Sequence, residues 1–190
     1  MKKMARVSIY FLTLCIVLPC VSFAMASKKP TNEIPMYGGI PRTPHEKEAD
    51  DKLIQSTIKA YGSKEAAFQK AFEFGWSYFY KRDYATAMKR FNQSWLIDPD
   101  DPRVFNAFGA VVEAQGDSKE AVSWYLKGAD KGDPKAQFNL GNAYFNGNGA
   151  KRNYVEAAKW FHLAADQNLE WAQNMIGVCY VDRTPSAGRG

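Results

Sequence analysis

The amino-acid sequence predicts an all-α fold, a solenoid of antiparallel helix pairs, and three observations carry that prediction. Ala136, Leu140, Gly141 and Tyr144 return thirty-six positions later as Ala172, Ile176, Gly177 and Tyr180. A fixed period of that size marks stacked units, each too small to bury its apolar side alone. Helix stops and starts recur in pairs, with Gly, Asp and Pro standing between apolar stretches of helical spacing. No strand-length alternation of apolar and polar residues interrupts them. Stacks of this kind usually expose a curved surface rather than a catalytic pocket, so the sequence points to interaction as the mode of action.

Residues 1–26 stand apart from the fold. Lys2, Lys3 and Arg6 precede an apolar run over 7–18 that Pro19 breaks, and Ala24-Met25-Ala26 sets small residues around one variable position. That layout is expected of a bacterial secretory signal peptide, cleaved after Ala26 or else kept as an uncleaved anchor, with the periplasm as destination. The run is short of the ~20 apolar residues a membrane span needs, so no stable span is expected after cleavage. The segment holds three of the 25 Lys+Arg and none of the 20 Asp+Glu, which leaves 22 against 20, a net +2 in place of +5. No basic cluster remains to serve as a nucleic-acid footprint. Cys15 and Cys20 leave with the signal, and Cys179 alone can build neither an intrachain disulfide nor a cysteine zinc site. Beside Ile176 and Tyr180 it reads as a small buried apolar residue.

Residues 27–45 carry Pro30, Pro35, Pro41, Pro44, Gly38 and Gly39 with few apolar side chains, which reads as a disordered, extended tether. Met36-Tyr37 is its apolar spot, either packed locally on the first helix or used as a docking motif. The helical domain follows over 46–182. A first helix is expected over 46–61, with Leu53, Ile54, Ile58 and Tyr61 inward, stopped by Gly62; Ser63 caps the next. Helix 64–81 is followed by Asp83 as the cap of a helix ending at 97. Asp101 caps helix 103–115, with Pro102 at the first helical position, and Gly116 ends it. Asp117 with Glu120 makes a capping pair for the helix reaching 130. Gly132, Asp133 and Pro134 repeat the stop, cap and start for helix 135–145. The loop Asn146-Gly147-Asn148-Gly149 is suited to positive φ. Asn153 and Glu156 then cap a helix to 166, and a terminal helix covers 169–181 before a frayed tail, 183–190.

Counted from Phe68, the residues Gly75, Tyr78, Tyr84, Ala87, Phe91 and Pro99 resemble the pattern of tetratricopeptide repeats, with Ala71 and Ser94 departing from it. A second unit offers Phe105, Phe108, Gly109, Ala121 and Tyr125, with Val112 in place of the usual Tyr and Pro134 one position late. The third is similar to the related Sel-one-like repeat, through Leu140-Gly141, Tyr144, Gly147-Asn148-Gly149, Ala157-Ala158-Lys159-Trp160 and Ala164-Ala165. The units span 68–101, 102–135 and 136–171, and the terminal helix of a fourth serves as a cap. The resemblance implies a tetratricopeptide/Sel-one-like superhelix in which Gly75, Gly109, Gly141 and Gly177 occupy equivalent helix crossings.

It also implies that the first helix of each pair lines a concave partner-binding face. The positions facing it are Gln69, Phe72, Trp76 and Phe79, then Arg103, Asn106, Ala110 and Glu113, then Lys135, Phe138, Asn142 and Phe145, and finally Trp171, Asn174 and Val178. Phe72, Trp76 and Phe79 are four and three apart and share one stripe, distinct from the core-type Ala71, Phe74, Gly75 and Tyr78. Two readings of that stripe stay open. The first helix folds over it and makes it core, or it is an aromatic floor beside Asn106 and Asn142, whose amides can bond a peptide backbone in both directions. Carboxylate-clamp relatives carry Lys and Asn where Phe72 and Trp76 stand, so capture of a charged C-terminus is not expected.

For catalysis only His45 and His162 are available, and no Ser/His/Asp set, metal-ligand cluster or phosphate loop accompanies them. The expectation is a non-catalytic cell-envelope adaptor without metal or cofactor that binds a protein or peptide. The alternative is an envelope assembly protein that associates through its open edge near Trp171 or through its tether.

Overall fold

The computed structural model describes residues 31–183, so the signal-peptide reading of 1–26 and the tail 184–190 lie outside the described residues. Eight α-helices and no strand occur among those described. They are α1 (Pro44–Tyr61), α2 (Lys64–Tyr80), α3 (Tyr84–Ile97), α4 (Pro102–Ala114), α5 (Ser118–Asp130), α6 (Pro134–Asn146), α7 (Tyr154–Asp166) and α8 (Glu170–Arg183).

Side-chain caps set the starts. Asp83, Asp101, Asp117 and Asp133 each accept a hydrogen bond from a backbone N–H in the first turn of α3, α4, α5 and α6, and Asn153 accepts two in α7. Each such cap is worth about 1 kcal/mol against Ala. The expected capping pairs are only half made. Glu120 turns to the indole N–H of Trp124 at 3.1 Å, and Glu156 pairs with Lys159. The reciprocal arrangement instead occurs at Thr43, whose hydroxyl accepts from the Glu46 N–H while Glu46 accepts from the Thr43 N–H.

Three helical hairpins, α2/α3, α4/α5 and α6/α7, stack in sequence order, and α8 packs on α7. Each hairpin closes by seating an aromatic ring on a glycine. A Cβ at Gly75 would meet the Phe91 ring, with Cδ1 at 2.5 Å and Cζ at 2.8 Å. At Gly109 it would meet Tyr125 Cε1 at 2.5 Å, and at Gly141, Phe161 Cε1 at 2.6 Å. Helix backbones approach this closely only where no side chain intervenes. Phe68, Met88, Phe91, Val104, Phe108, Val111, Leu140 and Phe161 are wholly buried between the layers. Gly177 departs from the expected equivalence, because nothing stands within 4 Å of the corresponding point on α8.

Three further expectations are corrected. α1 has no buried residue; it docks through Ile54 and Ile58, while Leu53 and Tyr61 are largely exposed. Phe74, assigned to the core stripe, is 40% exposed and lies beneath the charged ends of Lys70 and Arg90.

The described part of the 27–45 segment is not an extended tether. Residues Thr31–Glu33 and Pro35–Gly39 form two tight turns against α3, the second passing through left-handed backbone at Met36 (φ 47°) and Tyr37 (φ 53°). Pro35 and Tyr37 are buried, and the Tyr37 ring faces Trp95 of α3 at 6.4 Å rather than the first helix. Arg42 lies 4.3 Å over the other side of that ring and pairs with Asp50 of α1 at 2.9 Å.

Candidate functional site

The first helices of the hairpins and the turns before them enclose a concave cavity of 390 Å³ lined by Phe72, Trp76, Asp101, Pro102, Arg103, Asn106, Gly132, Asp133, Pro134 and Lys135. Five sequence-derived positions from three units therefore converge: Phe72 and Trp76 from α2, Arg103 and Asn106 from α4, and Lys135 from α6. The Asp-Pro caps of α4 and α6 form its remaining wall, and their periodic recurrence was the signal for them.

The floor is aromatic. Phe72 and Trp76 are half-buried and T-shaped to one another at 6.1 Å, and both lean on Phe91, at 5.6 and 5.3 Å. Phe79 continues the row, 5.2 Å from Trp76, but turns toward Tyr84 and does not line the cavity. α1 packs on α2 and α3, and none of its residues lines this cavity. The stripe is thus partly core through Phe91 and partly open floor.

Arg103 has a structural task that sequence spacing did not reveal. Its guanidinium bonds Asp101 through Nε (2.9 Å) and Nη2 (2.6 Å), Gln69 at 3.2 Å and Glu65 at 3.4 Å, and it covers the Phe68 ring at 4.6 Å. The bond to Asp101 holds its pKa above the ordinary arginine value, so its charge is permanent. Gln69 and Arg103 therefore fasten α2 to α4 and leave little for a ligand. Asn106 is buried and its Oδ1 accepts from Asn139 Nδ2 at 2.8 Å, so its acceptor is spent inside the fold. Asp133 is buried too; desolvation raises its carboxyl above the usual range against the opposing bond from the Ala136 N–H. Lys135 is exposed at the rim.

The remaining predicted positions lie elsewhere. Phe138 packs on Phe161 (5.6 Å) and Trp171 (6.2 Å), and Phe145 on Tyr154 (5.2 Å). Asn142 is half-exposed and Asn174 exposed, but neither lines the cavity. The amide that does bond a backbone in both directions is Asn92 of α3, which sequence reasoning missed. Its one signal was a polar residue set among Met88, Phe91 and Trp95 on an otherwise apolar stripe.

The long α6–α7 connection is the most distinctive local feature. It runs through Gly147 (φ 78°) and Gly149 (φ 73°), and Gly149 lies so near the start of α5 that a Cβ there would clash with the Ser118 carbonyl and stand 2.9 Å from the Lys119 nitrogen. The Sel1 repeat model matches residues 106–133 and again 134–169, the second match spanning this loop. Residues 106–169 carry Sel1 repeats.

The unit over 102–135, expected to be tetratricopeptide-like, is thus matched as a Sel1 repeat as well. A crystal structure of a Sel1 repeat protein from Oxalobacter formigenes is 32% identical with a TM-score of 0.52, covering 58% of this chain and 46% of that one. The chitin synthase regulator SKT5 of Saccharomyces cerevisiae is 41% identical over 68 residues, 36% of this chain and 10% of the relative. A putative sel1-like repeat-containing protein, L18, of Acanthamoeba polyphaga mimivirus is 48% identical over 43 residues, 23% of this chain and 7% of the relative. The chain therefore spans less than half of the solved structure and a tenth or less of the curated relatives. Sel1 repeats generally mediate protein interaction. No helix among the described residues is long and apolar enough to cross a membrane.

Proposed function

We propose that the chain is a non-catalytic adaptor of the cell envelope, exported by residues 1–26, that holds a peptide segment of a partner protein in the concave cavity. The observation that carries the reading is the convergence of Phe72, Trp76, Asn106 and Lys135 from three successive units on one 390 Å³ space. An aromatic floor with one exposed lysine at its rim suits the apolar anchor residue of a peptide. The name of one relative, a regulator of chitin synthase, is in keeping with a repeat that acts through another protein.

Crosslinking in intact cells tests it, with a photoreactive residue in place of exposed Lys135. Capture of one protein species, lost when Trp76→Leu is added, supports the reading. Capture that ignores Trp76→Leu while helicity is retained refutes it.

A further inference from the structure

Asn92 is wholly buried, yet none of its side-chain bonds serves the repeat fold. Its Oδ1 accepts from the Met36 N–H at 2.9 Å, and its Nδ2 donates to the carbonyls of Ile34 at 2.9 Å and Asn32 at 3.1 Å. All three partners are backbone groups 56–60 residues away in sequence. An amide used this way holds the main chain of its occupant without regard to side chains. Selectivity comes from beside it, where Pro35 and Tyr37 are sunk into the surface and Trp95 faces the tyrosine ring. The groove is wider than the segment. Cavities of 270 and 380 Å³ flank it, walled by the end of α4 and by Glu120, Trp124 and Lys127 of α5. Apart from α4, it is built from different helices than the concave cavity.

We propose that this groove between α3 and α5 is a second peptide-binding site, specific for a turn-forming partner segment with Pro followed two residues later by an aromatic ring. The chain's own residues 32–39 occupy it as a built-in competitor. Two features make that occupant replaceable. It pays for its fit with left-handed backbone at the non-glycine residues Met36 and Tyr37. It also leaves open space beside it, against the end of α4 and against α5, that a bulkier ligand would fill.

The test uses the full chain and a labelled peptide of residues 31–42. An intramolecular occupant competes at an effective concentration on the order of mM, so the unaltered chain binds the peptide weakly. Tyr37→Ala in the chain loosens the internal copy, and peptide affinity rises at least tenfold. Adding Asn92→Ala removes the gain, and so does Tyr37→Ala placed in the peptide. With the unaltered chain, excess peptide accelerates hydrogen exchange at its Met36 amide. Equal peptide affinity of the unaltered and Tyr37→Ala chains, or Met36 exchange that excess peptide leaves unchanged, overturns the proposal.

Discussion

Alanine at Gly75 and at Gly177 gives opposite effects on stability, although the two glycines are equivalent in the repeat pattern. In a helix interior, Ala is favoured over Gly by about 1 kcal/mol. At Gly177 nothing lies within 4 Å of the new methyl and the residue is exposed, so the gain is realised in full and Gly177→Ala stabilises by up to about 1 kcal/mol. At Gly75 the methyl enters the Phe91 ring, two of whose atoms would lie at 2.5 and 2.8 Å. That ring is fully buried and pressed on its other side by Phe72 and Trp76, so it has nowhere to swing. Overpacking of this kind costs about 3 kcal/mol, the upper end of its usual range. The net is a loss of about 2 kcal/mol. For a domain of this size the midpoint shifts by roughly 2–4 °C per kcal/mol, so Gly75→Ala melts about 4–8 °C lower and Gly177→Ala slightly higher. Thermal denaturation followed by circular dichroism reads both. Equal shifts for the two variants would refute the reasoning, because it rests wholly on the presence of a ring over one glycine and its absence over the other.

Asp133→Asn keeps a good cap and removes a charge whose ionisation burial opposes. A carboxyl with a raised folded-state pKa contributes stability that is fully present below about 3.8, the ordinary value, and is lost as pH rises through the raised one. Asp133→Asn therefore gains on the unaltered chain as pH rises from about 3.5 to 7 in paired melts, whereas Asp133→Ala loses about 1 kcal/mol with its cap. Arg82 sits in the α2–α3 turn at φ 61°, where the α4–α5 and α5–α6 turns have glycine. Arg82→Gly is expected to stabilise by about 0.5–1 kcal/mol in urea denaturation, by relieving that backbone strain. Trp76→Ala, by contrast, lowers the melting point as well as partner capture, since the indole supports Phe91; Trp76→Leu separates the two effects.

Helix order and helix starts were legible because they are local. Asp101-Pro102 and Asp133-Pro134 announce themselves through chain chemistry that acts within one turn. Gly75, Gly109 and Gly141 were legible as crossing points because each falls at the same place in its unit, with an aromatic residue to follow on the second helix of the pair. Gly177 keeps the small, large apolar and Tyr positions of the repeat at Ala172, Ile176 and Tyr180, and the open space above it sets it apart. The concave site was half legible. Offsets within a unit named Trp76 and Lys135, but which offsets share a cavity depends on how far each hairpin rotates on the last. Arg103 looked available because a sequence does not show that Asp101 and Gln69 hold it. The strap over 31–39 was read as extended because its prolines and glycines suit a linker equally well. What ordered it was Asn92, too distant in sequence for any periodicity to connect.

Gly149 bears on how this surface can diversify. Its main chain rests against the first turn of α5, backbone upon backbone, and this contact joins the Asn106–Asn139 bond in setting how the third hairpin meets the second. Exchanging an exposed rim residue such as Lys135 would then alter what is gripped while leaving that backbone contact in place.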